Sequence, residues 1–559
     1  MIISSLVQRY EDTLDVPIGW QPRKVSYALE ISEDGILQNI IQLGDHSKKK
    51  PGSLALILPS EGSGRSSTKA YETAYYLCDN GKYLLGLDPK YFESARKLHL
   101  SLLDGADTPA AKAIKAYFMQ SIPSIPSGSD EKVDPQATYV FSYNGKRIDY
   151  DYGDEQIILS WKNVPKRSGE RTRCLVTGGF DEVINKHNKI NLKGVTMGKQ
   201  ALISMNEQAS FRSYNDIPDD PPARIGQYAA FAYASALDAL LMDEKHHMLI
   251  GGDTLVFWAE KGGETEEELF INVFEPPESD GDFELGATIM KIAKGYMVVD
   301  PALTCKFYLL CLSPNAARIS IRFFHQCNFG NLIRSIMEHY SRLEIARGER
   351  THYFIPPKLI LSETTIKNTA KDAMPILGGQ LLKSILTNTD YPLTLYNAII
   401  TRIRAGEPIT QTKAAVIKAI LIKNEIFKER EETTVSLNEE SNNKPYVLGR
   451  LFSVLERLQE KANGTATIRS RYFATACVNP ASVFPTLLRL SFYHSAKLDN
   501  PVYFEKQKTD LLDKLDDETH FPAYLGLNEQ GLFILGYYHQ TQKNFFTKKD
   551  KMEETSDEG

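Results

Sequence analysis

Cysteine is scarce in this chain and never set at metal-binding spacing: six residues in 559, at positions 78, 174, 305, 311, 327 and 477, with no CxxC. That excludes a zinc ribbon or a short disulfide framework and reads as reduced core thiols of a cytosolic protein. Long apolar runs are missing too. The stretch "AAFAYASALDALLM" is interrupted by Asp238, short of the roughly 18 residues a membrane span needs. The segment "MIISSLVQRYEDTL" has neither a basic leader nor an apolar core, so it does not read as a signal peptide. Nor is there an excess of positive charge, since 65 Lys and Arg against 71 Asp and Glu leave a net charge of −6. Phosphate neutralisation supplies most non-specific affinity for nucleic acid. Any DNA contact must therefore come from local patches, or within an assembly that brings its own positive surface.

Catalytic signatures are also lacking. There is no GxxxxGK[ST], HExxH or GxSxG, and nothing resembles a nucleophile–base pair. The adjacent His246 and His247 point apart on any regular element and read as surface residues. The expectation is a non-enzymatic chain with no cofactor and no metal.

What is present is an ordinary globular composition, 42% apolar and 24% charged. The pattern predicts an α+β fold: a mixed strand and helix region over 1–345, a helical region over 346–430, a linker over 431–445, a helical bundle over 446–546 and a disordered tail over 547–559. Near the start, Val25, Tyr27, Leu29 and Ile31 alternate, "SEDG" turns and "ILQNIIQL" returns. "SLALILP" reads as a third strand, and helical periodicity dominates from Tyr91 to Gln120. "ATYVFSYNGKRI", "IILSWKN" and "TLVFWAE" read as strands, and "GQYAAFAYASALDALLM" as a helix. The linker is polar and charged, and Leu448, Leu451, Phe452, Leu455 and Leu458 then form one helical stripe, with Arg450, Arg457 and Lys461 on another face.

Three polar segments carry donors for a partner. The first is the loop Gly62-Ser63-Gly64-Arg65-Ser66-Ser67-Thr68-Lys69, where two glycines admit close backbone approach and Arg65, Ser66, Ser67 and Lys69 supply donors. A merely flexible loop is the alternative. The second, "NKHNKINLKGVTMGKQ", concentrates Lys186, Lys189, Lys193 and Lys199 with Gly194 and Gly198 among them. It suits either a solvated surface or a backbone phosphate. The third is "CLSPNAARISIRFF". Ser313-Pro314-Asn315 signals a turn after "CKFYLLCL", and alternation then puts Arg318, Ser320 and Arg322 on one face, Ile319, Ile321 and Phe323 on the other. Those arginines suit phosphates, or carboxylates of the protein itself.

Several stretches taken in order resemble one family, the large subunit of the subtype I-C CRISPR Cascade surveillance complex. They include "VSYALEISEDG", "LCDNGKYLLGLD", "CLVTGG", "KGVTMGKQALISMNEQASFRSY", "GGDTLVFWAE", "LSPNAARISIRFF", "RYFATACVNPASVFPTLLRL" and "GLFILGYYHQTQKNFF". The resemblance implies a non-catalytic cytoplasmic subunit of an antiviral complex. It would recognise a protospacer-adjacent motif in double-stranded target DNA, aid duplex opening and recruit a helicase–nuclease, while guide-RNA-bearing subunits read sequence by pairing. It implies motif contact by Gly62, Gly64, Arg65 and Ser66 and their neighbours Ser63, Ser67 and Lys69. Contact with DNA backbone or displaced strand would fall to Lys186, Lys189, Lys193, Lys199, Gln200, Asn206, Arg318 and Arg322. It further implies a helical C-terminal region like the Cascade small subunit, released as a separate partner by internal translation. No methionine lies between Met374 and Met552, so such a product would start at Val435 or Val447.

Overall fold

The computed structural model describes residues 1–14, 16, 18–44, 52–61, 65, 69–120, 122–129, 132–162, 171–184, 187–195, 200–203, 224–275, 304–315, 318–347, 354–427, 433–465, 467–515 and 521–556, with side chains as far as Asn544. The fold is α+β, as the sequence predicts, and the strands of the described residues all lie before Phe329.

Helix α1 (Ile2–Thr13) leads into strands β1 (Trp20–Val25), β2 (Tyr27–Ile31), β3 (Leu37–Gln42) and β4 (Leu54–Pro59). The hairpin read from alternation is β2 with β3, antiparallel, Tyr27 opposite Gln42. Its turn needs glycine: Gly35 has φ +74, and a Cβ there would lie 2.1 Å from the Tyr117 amide nitrogen. Val25 belongs instead to β1, which pairs antiparallel with β4 from Trp20 opposite Pro59 to Val25 opposite Leu54.

Next come β5 (Cys78–Asn80), the single turn α2 (Gly81–Leu84), α3 (Pro89–Leu102), α4 (Pro109–Met119), β6 (Thr138–Tyr143) and β7 (Lys146–Arg147). Helical periodicity across Tyr91–Gln120 thus resolves into two helices. Each opens on a side-chain cap followed by proline, Asp88 with Pro89 and Thr108 with Pro109. Strands are ordered β3-β2-β6-β5, with β7 beside β6 and β2 parallel to β6. One face sends Tyr27, Leu29, Ile31, Tyr139 and Phe141 against Phe92, Tyr117 and Phe118 of the helices. The other sends Ala28, Cys78 and Val140 against Val25, Leu56 and Leu58. Burial on both faces explains why β2 and β6 are almost wholly apolar. Each fully buried aromatic contributes about 2–3 kcal/mol. His99 of α3 is also buried here: its Nε2 accepts from the Leu77 amide at 3.0 Å, and its Nδ1 lies 2.7 Å from the Ala95 carbonyl.

"IILSWKN" is not a strand. It forms α5 (Glu155–Lys162), because Asp154 Oδ1 accepts from the amides of Gln156 and Ile157 and starts a helix there. After β8 (Arg171–Arg173) and β9 (Phe180–Glu182), helix α6 (Gln227–Met242) appears where expected, eleven of its sixteen residues buried. A four-stranded sheet follows in the order β10 (His247–Ile250), β11 (Asp253–Ala259), β12 (Lys306–Asn315), β13 (Arg318–Asn328). The hairpin expected from "CKFYLLCL" and "RISIRFF" is β12 with β13. Ser313, Pro314 and Asn315 extend β12 instead of turning, and the link falls at residues 316–317, outside the described residues.

From Phe329 onward every regular element among the described residues is helical. The helices Lys444–Asn463 and Leu527–Ser556 cross in backbone contact. A Cβ on Gly449 would lie 1.9 Å from the Phe533 carbonyl oxygen, and one on Gly536 2.0 Å from that of Tyr446. The predicted apolar stripe from Leu448 to Leu458 is buried. So is Arg450, whose Nε donates to Gln540 Oε1 at 3.2 Å and whose NH1 donates to the carbonyls of Asn438 and Glu439 at 3.2 and 3.3 Å. The segment read as a linker is therefore strapped down, and Ala346 N also donates to the Val435 carbonyl at 2.7 Å. The last helix continues through 547–556, where the sequence predicts a disordered tail. That stretch is rich in Lys and Glu, which favour helix, and has no Gly or Pro before Gly559.

The chain forms two compact units. One comprises Met1–His247, Val256–Gly263 and Ser313–Ile321, the other Met248–Leu255, Glu264–Leu312 and Arg322–Gly559.

Candidate nucleic-acid interface

The strand β4 ends at Pro59, and the glycine loop leaves from there. Its base is fixed by Arg23, a buried residue of β1. Arg23 NH1 donates to the carbonyls of Pro59 and Cys78 at 3.3 and 3.2 Å, and NH2 pairs with Glu61 Oε1 at 2.7 Å. Burial opposes the Arg23 charge, yet the nearby anionic groups, Glu61 and Asp79 among them, more than offset it and hold its pKa above the ordinary value.

Arg65, expected to face DNA, turns inward. Its guanidinium pairs with Asp79, whose side chain is 1% exposed, and its Nε donates to the Thr73 carbonyl at 2.6 Å. It lies 3.7 Å from the centre of the Tyr75 ring and 3.9 Å from that of Tyr83. Asp79 also accepts from the amides of Tyr75 at 2.8 Å and Asn80 at 2.7 Å. Burial, with Glu61 next, pushes the Tyr75 phenol up to about 12. Lys69 is exposed and pairs with Glu72 at 3.4 Å. Gly62, Ser63, Gly64, Ser66, Ser67 and Thr68 lie outside the described residues.

The lysine segment is held by α6. Tyr233 Oη lies 2.7 Å from Nδ1 of the buried His187, and Asp238 Oδ1 accepts from the Asn191 amide at 3.0 Å. Ile190 and Gln200 exchange two backbone hydrogen bonds, at 2.8 and 3.0 Å, closing the segment into a loop. Within it Lys189 is half-buried and Lys193 exposed. Lys186, Lys199 and Asn206 lie outside the described residues.

Two contacts join the sequence candidates. Asn188 Nδ2 donates to Ser60 Oγ at 3.3 Å, tying the lysine loop to the base of the glycine loop. Gly194, at φ +90, packs against Pro314: a Cβ there would lie 3.1 Å from Pro314 Cγ, a tight contact. The end of the β12–β13 hairpin thus adjoins the lysine loop. It carries Arg318, which is exposed, and neither Arg318 nor Lys193 makes an ion pair with a described residue. Three segments far apart in sequence form one neighbourhood of the first unit.

Arg322 does not join them. It pairs through Nε with Asp253 Oδ1 at 3.3 Å, on a carboxylate 1% exposed, and donates from NH2 to the Pro375 carbonyl at 3.1 Å. Gly379 leaves room for its stem, since a Cβ there would lie 3.0 Å from Arg322 Cγ. Of the two arginines placed together by alternation, one has a carboxylate of the protein and the other faces solvent. Ile321 is also 43% exposed, so the apolar face of β13 is not continuously covered.

Residues 6–545 match the family model described as CRISPR-associated protein (Cas_Csd1). The chain belongs to this family. No curated protein matches it. In this Cas_Csd1 chain no helix among the described residues is long and apolar enough to cross a membrane. No group of three or more His, Cys, Asp or Glu among the described residues is placed to hold a metal ion. Sequence reasoning gave no role to Arg23, Tyr75, Asp79, Tyr83 or Asn188. Asn188 lay inside the lysine segment and Asp79 and Tyr83 inside "LCDNGKYLLGLD", while Ser60 already stood at the start of the polar loop "SEGSGRSSTK".

Proposed function

We propose that this chain is the non-catalytic large subunit of a type I-C CRISPR-guided complex, and that it recognises a protospacer-adjacent motif in duplex DNA. The observation that carries this is the Asn188–Ser60 hydrogen bond, which brings the lysine loop beside the glycine loop. One neighbourhood then offers backbone donors for a groove and exposed cations for the flanking phosphates. Lys193 and Arg318 supply charge there with no carboxylate partner among the described residues, as an acidic chain acting through a local patch requires. Guide-RNA-bearing subunits would provide the rest of the positive surface, and a separate helicase–nuclease would cut the target.

The test is a gel shift of the reconstituted complex on duplexes with a randomised flanking motif. Enrichment of a short motif, lost when Lys193 and Arg318 are both replaced by alanine together with Asn188, supports the reading. DNA cleavage by the purified chain with Mg²⁺ alone would overturn it in favour of a nuclease. In the same reading, the helical C-terminal region doubles as a small-subunit partner when translation starts internally. The carbonyls gripped by Arg450 favour Val435 over Val447 as the start, because only the longer product keeps Asn438 and Glu439.

A further inference from the structure

Arg65 stands in the middle of the glycine loop, and its guanidinium meets four groups of the protein. Asp79 takes one edge, the Thr73 carbonyl another, and the rings of Tyr75 and Tyr83 lie against it. Asp79 is fixed in turn by the amides of Tyr75 and Asn80. The Tyr83 hydroxyl donates to the Ala70 carbonyl, just past the end of the loop. On the near side, Arg23 holds Glu61 and stands 5.5 Å from the same Tyr75 ring. Glu61, Arg65 and Ala70, the described residues before, within and after the loop, are thereby each held. A planar guanidinium is the one side chain that can stack on rings and donate in its own plane to two acceptors at once; an ammonium cannot.

We propose that Arg65 is a positioning residue: a latch on Asp79 that sets the shape of the loop, leaving contact with the DNA to the other loop groups. This rests on the reading that the loop meets the flanking motif, and it assigns Arg65 and Asp79 joint control of motif selectivity. Asp79 cannot touch DNA, its side chain being 1% exposed. A selectivity defect in an Asp79 variant therefore reports the latch.

The experiment compares the reconstituted complex carrying Arg65→Ala, Arg65→Lys, Asp79→Asn, or Arg65→Ala with Asp79→Asn. Affinity for duplexes with and without the preferred motif is measured over a salt series. The latch predicts that each single variant loses about tenfold in discrimination. It also predicts that the double variant is no worse and that the salt slope is unchanged. If Arg65 instead binds a phosphate, Arg65→Lys keeps discrimination and Arg65→Ala lowers the slope by about one; that result overturns the proposal. Should Asp79→Asn fail to fold, Arg65→Lys carries the test, since it keeps the charge and removes the planar fork. If the unaltered complex shows no motif preference, the reading of the loop fails separately. The latch is then judged on amide exchange over 73–80 in the full chain: about tenfold faster exchange in Arg65→Ala supports it, and unchanged exchange overturns it.

Discussion

Asn188 donates to Ser60 across 128 residues of sequence, at 3.3 Å. A hydrogen bond of this kind contributes about 1 kcal/mol. In the assembled complex, Asn188→Ala and Ser60→Ala should each weaken motif-bearing DNA binding, and the double variant should lose little more than either. A double-mutant cycle giving a coupling near zero would separate the two loops functionally.

Lys193 and Arg318 should behave differently from Arg322. Alanine at either exposed cation is expected to lower the salt dependence of DNA binding by about one counterion and leave thermal stability unchanged. Arg322→Ala strands the Asp253 carboxylate, 1% exposed, while the Arg322 side chain itself is 24% exposed. The cost should be about 2 kcal/mol, below the range for a fully buried pair, read as a lower midpoint in thermal unfolding. Adding Asp253→Asn should recover part of it.

The crossing of the two long helices tolerates no side chain. Gly449→Ala and Gly536→Ala each force a Cβ to within about 2 Å of a backbone carbonyl and should cost about 3 kcal/mol or more. Gly464, at φ +75 with open space around it, is the control: alanine there should cost about 1 kcal/mol, for backbone reasons only. Urea unfolding of the three variants orders them.

Acid should destabilise both units through buried neutral imidazoles. Burial lowers His99 and His539 from 6.5 to about 4 and His339 to about 3. Between the folded and unfolded values the unfolded chain binds more protons, so stability falls as pH drops through 6.5 and continues to fall until the folded value is reached. From pH 7 to pH 5, His99 and His539 should each cost about 2 kcal/mol. Urea midpoints at the two pH values measure this, and His99→Gln should flatten the dependence of the first unit.

The two internal products should differ in stability. A fragment from Val435 keeps Tyr446, fully buried and 2.9 Å from His539 Nδ1, and the Asn443 side chain that caps the helix. A fragment from Val447 loses both. Loss of a buried aromatic and a cap costs about 4 kcal/mol together, so circular dichroism should show the shorter fragment melting first.

How much was legible depended on whether the partner lay nearby in sequence. The β2–β3 hairpin was readable because its alternation and "SEDG" turn are local, and α6 because its length and alanine content are. Ile157 and Ile158 misled as a strand, since a short apolar run has no period of its own and the deciding cap, Asp154, lay just outside it. Pro314 misled as a turn, because proline also sits at the end of a strand. The arginine face of β13 was visible, but Asp253 lies 69 residues before Arg322 and no pattern links them. Arg65 shows the same limit at closer range: glycines and donors marked the loop, while Asp79 and the two tyrosines that turn its arginine inward carry no local mark.

Leu77 has φ +61, a left-handed conformation that costs a residue with a Cβ about 1–2 kcal/mol. It stands two residues before Asp79, and its amide is held by the neutral Nε2 of His99. The left-handed turn at Leu77 thus delivers its amide to a buried acceptor, and a residue at position 99 without one would leave that donor buried and unpaired. One histidine of a helix thereby underwrites an unfavourable backbone conformation directly before the strand that carries Asp79.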